Sequence, residues 1–83
     1  GRNTGYAHLI KKVRDYSKVG ILTDQINTPA VIASSLLKHG IRDRVMYVCE
    51  NLSLPGERVR EINLASAVNM ITSGTTVVII KKV

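Results

Sequence analysis

The chain has 83 residues, a formal charge of +6 from 12 basic and 6 acidic side chains, and 45% apolar residues without Trp or Phe. That length implies one domain, residues 1–83, with a core of Ile, Leu, Val and Ala that buries about 60–65% of the unfolded-chain surface. No apolar run approaches the roughly 18 residues of a membrane span, and a single cysteine excludes an internal disulfide or a cysteine-rich metal site.

In chain order, Gly1 to Gly5 is a loop by composition. Tyr6, Leu9, Ile10 and Val13 share one face at helical spacing and predict an amphipathic helix from residue 6 to about 15, with Lys11, Lys12 and Arg14 on its wet side. Val19, Ile21 and Leu22 form a short apolar run, expected of a strand buried on both faces. Thr23 to Asn27 is a polar loop. Thr28 then reads as a helix N-cap and Pro29 as the first helical residue. Ile32, Ala33, Leu36 and Leu37 give that helix its apolar face. Gly40 ends it, with Lys38 and His39 in the last turn, where the macrodipole favours positive charge.

Val45 to Cys49 reads as a second strand, Glu50 to Arg58 as a long connection with a turn at Pro55-Gly56, and Val59 to Ile62 as a short extended piece. Asn63 can cap a third helix with Leu64, Ala67, Val68 and Ile71 on one face, ended by Ser73-Gly74. Thr76 to Ile80 is a last buried strand. Two strand–helix–strand units imply an α/β domain with a small, mostly parallel or mixed sheet flanked by helices.

The functional inventory is sparse. No Gly-rich dinucleotide fingerprint or P-loop is present. His8 and His39 lack metal-ligand spacing, Ser34 and Ser35 lie inside a helix with no nucleophile elbow, and Cys49 reads as a small buried apolar residue. The positive charge favours anionic partners but is dispersed along the chain. Two loops remain, Asp24 to Ala30 and Glu50 to Arg58. Both leave the C-terminal ends of predicted parallel strands, where open α/β sheets place ligands. The plain alternative is a capped helix entry for the first and a surface crossover for the second.

The stretch Leu22-Thr-Asp-Gln-Ile-Asn-Thr-Pro-Ala-Val-Ile-Ala, followed by Glu50-Asn-Leu-Ser-Leu-Pro-Gly-Glu-Arg-Val, resembles the C-terminal half of the cobalamin-pathway tetrapyrrole methylases. The nearest resemblance is to the cobalt-precorrin-7 (C5)-methyltransferase, or precorrin-6Y methylase, family. Gly1-Arg2 is similar to the Gly-Arg pair at the link between the family's two domains.

The resemblance runs from about residue 1 to 80. It implies S-adenosylmethionine-dependent methylation of C5 of a corrin precursor, a cobalt-precorrin or precorrin. It also implies a homodimeric complete protein. The N-terminal methylase domain that supplies the Gly-rich part of the cofactor site does not lie in these residues, so this domain alone is expected to be inactive. On this resemblance Asp24, Asn27, Thr28, Pro29, Ala30, Glu50, Asn51, Leu52, Glu57 and Arg58 contribute to the cofactor pocket. Arg2, Arg58 and Arg60 would anchor the substrate's carboxylates. No catalytic base is assigned and no metal ligand is expected.

Methyl transfer from a sulfonium is an in-line displacement in which the cofactor carries the reactive group, so a protein triad or metal is not required. The alternative is a non-catalytic α/β module that binds a small anionic ligand or a protein partner. A nucleic-acid partner is not expected, since Tyr6, Tyr16 and Tyr47 form no evident stacking platform. No membrane partner is expected either. The start at Gly-Arg rather than Met suggests a processed, tagged or partial chain, and a cytoplasmic location is the simplest expectation.

Overall fold

The computed structural model describes residues 4–72 and 76–83, with side chains from residue 7 onward. Arg2, the side chain of Tyr6 and the helix stop at Ser73-Gly74 lie outside the described residues. The elements are α1 (Thr4–Asp15), β1 (Lys18–Leu22), α2 (Pro29–Lys38), β2 (Arg44–Glu50), β3 (Arg58–Asn63), α3 (Leu64–Ala67) and β4 (Thr76–Lys82).

The four strands form one sheet in the order β1-β4-β2-β3. Every hydrogen-bonded neighbour is antiparallel, which corrects the expectation of a mostly parallel or mixed sheet. The physical reason is insertion. β1 and β2 do run in the same direction, as a strand–helix–strand unit requires, but β4 lies between them. β3 and β4 are likewise separated by β2. The Glu50–Arg58 stretch is therefore a hairpin turn between paired neighbours and not a crossover.

All three helices bury against one face of this sheet. Ile10 and Val13 of α1, Ile32, Ala33 and Leu36 of α2, and Leu64 and Ala67 of α3 form one core with Met46 and Val48 of β2 and Val78 and Ile80 of β4. β1 is an edge strand whose exposure alternates, with Leu22 74% exposed. The expected burial on both its faces does not occur, because no helix among the described residues covers the second face.

Local chemistry explains the helix ends. The Thr28 hydroxyl accepts from the Val31 N–H at 3.2 Å, and Pro29 takes the first helical position without losing a needed donor. At the other end Gly40 adopts φ 79°, its N–H donates to Leu37 O at 3.0 Å, and Ile41 N–H donates to Leu36 O at 3.0 Å. That is the Schellman pattern, and Ile41 is buried as its apolar contact. Thr28→Ala is expected to lower stability by about 1 kcal/mol, read as a shifted urea midpoint at unchanged slope.

The third helix is shorter than the sequence suggests. Asn63 caps it by accepting from the Ser66 N–H at 2.7 Å. After Ala67 the chain tightens: Asn69 N–H donates to Ser66 O and Met70 N–H to Ala67 O, three-residue steps that close the helix. Ile71, expected on the buried face, is 92% exposed.

Candidate functional site

The antiparallel register still places the two loops at the same end of the sheet. Leu22 faces Val77, Cys49 faces Val77 from the other side, Thr76 faces Glu50, and Glu50 faces Arg58. The C-terminal ends of β1 and β2 therefore share one end of the sheet, with the start of β4 between them. Loop 23–28 lies on one side of Thr76 and loop 51–57 on the other.

Thr76 and Thr23 link the first loop to the sheet. Thr23 is 5% exposed and Thr76 1%. The Thr23 hydroxyl donates to Thr76 O at 2.7 Å, its N–H donates to the same carbonyl at 3.1 Å, and the two hydroxyls are hydrogen-bonded to each other. This extends the β1–β4 ladder by one residue. No sequence signal joins these threonines, because they lie far apart in the chain and the β1–β4 pairing is not legible locally.

Asp24 organises its own loop. One carboxylate oxygen accepts from the Ile26 N–H at 2.8 Å and the Asn27 N–H at 2.6 Å, and the other accepts from the Asn27 side-chain amide at 3.3 Å. The Asn27 and Ile26 backbone N–H groups, then the Asn27 amide, hold the Asp24 carboxyl below the ordinary carboxylate range. A depressed folded-state pKa means the carboxylate stabilises the loop at neutral pH. That contribution is lost as pH falls through the folded value. A carboxyl-detected NMR titration is expected to give Asp24 a midpoint below the usual ~3.9. Pro29 is buried under the helix start and Ala30 half-buried. The first-turn N–H of Ala30 remains one of the orphan donors of a helix N-terminus.

On the helix side of the same sheet end, Arg60 Nη2 lies 3.1 Å from Glu50 Oε1, with the side chains 33% and 15% exposed. The two residues are diagonal neighbours on β3 and β2, a separation long side chains bridge. Glu50 Oε1 and Arg60 Nε are both buried and make no geometrically sound hydrogen bond. The expectation of Arg60 as a substrate anchor did not include this carboxylate, because the partner is fixed by the β2–β3 register. Arg58, directly opposite Glu50, is exposed.

Asn51 and Leu52 border the opposite side of the sheet end. With Cys49, Leu54 and Val77 they line an open groove of about 290 Å³. The loop is held in an unusual shape, with Asn51 at φ 54°, Ser53 at φ 66° and Gly56 at φ 84°. Glu57 secures it by accepting from the Ser53 N–H at 2.8 Å. Among the predicted cofactor residues, Glu50 and Arg58 lie on the helix side and Asn51 and Leu52 at the open groove. Asp24, Thr28 and Glu57 bond within their own segments.

Among the described residues no group of three His, Cys, Asp or Glu is placed to hold a metal ion, and no helix is long and apolar enough to cross a membrane. The chain matches no family model, no curated protein and no solved structure.

Proposed function

We propose that this chain is the C-terminal domain of an S-adenosylmethionine-dependent methyltransferase that methylates C5 of a cobalt-precorrin or precorrin in cobalamin biosynthesis. The observation that supports the reading is that both resemblance-bearing loops, 23–28 and 51–57, lie at one sheet end on either side of Thr76. The complete protein would act in the cytoplasm as a homodimer with an N-terminal methylase domain.

Glu50, Arg58 and the start of α2 carry groups of the kind such a site uses. Glu50 Oε1 is a buried acceptor without a hydrogen bond, suited to a ribose hydroxyl or an ammonium group. The Ala30 N–H at the start of α2 suits a carboxylate. Arg58 is exposed beside Glu50 and suits a propionate or acetate side chain of the substrate. Arg60 instead neutralises Glu50 and sets its position. When bound, the cofactor supplies an electrophilic methyl group. The residues here bind and orient, and none is assigned the removal of a proton.

The test is an amide NMR titration with millimolar S-adenosylhomocysteine, run on this chain and on a protein that includes a methylase N-terminal domain. Shifts confined to Asp24–Ala30 and Glu50–Arg58 are the expected result. An absence of binding by the two-domain protein would overturn the reading in favour of a non-catalytic α/β module.

A further inference from the structure

The basic side chains are dispersed along the sequence, but the fold gathers most of them at the end of the sheet away from Thr76. Hydrogen bonds knot that end together. Arg14 Nη2 donates to His39 O at 2.8 Å and Arg44 Nη2 to Val13 O at 2.9 Å, which joins the last turns of α1 and α2 to the start of β2. Lys82 N–H donates to Ser17 O at 2.7 Å and Val83 N–H to Asp43 O at 3.1 Å, which brings in the end of β4. Lys12, Arg14 and Lys38 stand in the last helical turns. Lys18, Arg42, Lys81 and Lys82 surround the sheet end, and all of these cations are exposed. The acids among the described residues here already have partners, Asp15 in Lys11 and Asp43 in Arg44.

The cations in the last helical turns answer the helix macrodipoles. Those on the strands have no such reason. Lys18 faces Lys81 directly across β1 and β4, and Lys82 faces Arg44 across β4 and β2. Like charges directly opposite destabilise a sheet, so the domain carries a cost here that a bound anion would remove.

We propose that this end of the domain binds single-stranded nucleic acid by its phosphate backbone, with a base stacked on Tyr16. Two observations select this anion. Tyr16 is 61% exposed between Arg14 and Lys18. An aromatic ring interleaved with cations is the combination that single strands use, bases stacking while phosphates meet the charges. The cations also wrap round the sheet end. Lys18 and Lys81 border the open face with Tyr47 and Ile79, and Lys82, next along β4, points to the helix side. A flexible strand can follow such a curved path, whereas a bilayer presents a flat array of charge. Lysines dominate the set, and as point charges they hold phosphate without reading sequence. The inference does not depend on the proposed activity, because the length of β4 puts these cations ~20 Å from Thr76.

Fluorescence anisotropy of the chain with a labelled oligodeoxythymidylate is expected to show saturable binding at low salt. With about four phosphates engaged, log K should fall with log salt at a slope of about −3. Lys18→Gln and Lys82→Gln should each weaken binding about threefold and reduce that slope by ~0.7, with circular dichroism unchanged and a urea midpoint no lower. Gln25→Glu, which lowers the net charge equally in the loop at the opposite end, should change binding by less than about twofold. Tyr16→Leu should weaken it about tenfold. An absence of saturable binding at low salt overturns the proposal. So does an equal loss in Gln25→Glu, which describes attraction by net charge alone, and so does binding indifferent to Tyr16→Leu. Tighter association with phosphatidylserine vesicles than with the oligonucleotide also overturns it, in favour of a membrane surface.

Discussion

Leu36→Ala is expected to remove about 2–5 kcal/mol of stability, while Leu22→Ala should change it by no more than ~0.5 kcal/mol. Both leucines belong to short apolar stretches and the sequence treats them alike. Leu36 is fully buried in the single core that joins α1, α2 and α3 to the sheet. Truncating it removes transfer energy and leaves a cavity that a close-packed interior fills only in part. A chain of this length has about 4–12 kcal/mol of stability in total. Loss of Leu36 therefore takes a large share, and the unfolding midpoint in urea should fall steeply. Leu22 is 74% exposed on the uncovered face, so its removal from the monomer opens no cavity. A Leu22→Ala cost rivalling that of Leu36→Ala would mean that β1 is covered on both sides.

The helix starts were legible because they rest on local chemistry. Thr28-Pro29, Gly40 and Asn63 each act through neighbours within a few residues, and each is found in its expected role. Strand adjacency was not legible. Nothing near Val19 or Val77 announces that β4 pairs with both β1 and β2. The same apolar run suits a parallel strand buried on both faces and a central antiparallel strand. The error had limited effect on the candidate site, since placing β4 between β1 and β2 leaves their directions unchanged. Loops 23–28 and 51–57 thus leave the same end of the sheet, with the start of β4 between them. Side-chain roles fared less well, because Arg60 depends on the β2–β3 register and Asp24 on the closed geometry of its own turn. The shortened α3 shows the same limit. Apolar spacing extended the helix to Ile71, whereas three-residue hydrogen bonds stop it after Ala67.

Arg44 provides the second large effect, at the end of the sheet away from the candidate site. Its side chain is 6% exposed. Nη2 donates to Val13 O at 2.9 Å, near the C-terminus of α1, and Nη1 donates to Asp43 Oδ1 at 2.6 Å and Asp43 O at 3.1 Å. Nε is buried without a partner. Among the described residues, α1 is held by buried Ile10 and Val13, by Leu9 packed against the core and by Arg14 Nη2 donating to His39 O at 2.8 Å, and the Arg44 guanidinium is a further tether of that helix. Arg44→Ala loses both the stem's packing and a charged hydrogen bond worth ~1.5–3 kcal/mol, and should destabilise by about 2–4 kcal/mol. Arg44→Met keeps an apolar stem and removes a buried charge whose desolvation was incompletely repaid, so about 1 kcal/mol is expected. Asp43→Ala should fall below ~1 kcal/mol, since the carboxylate is 65% exposed and water replaces the pair. Hydrogen exchange localises the effect: Arg44→Ala should accelerate exchange in Leu9 to Asp15 before the sheet responds. Uniform acceleration throughout the chain would show instead that α1 is inseparable from the core. The loops around Thr76 should keep their resonances in either variant, since the whole length of the strands separates them from Arg44.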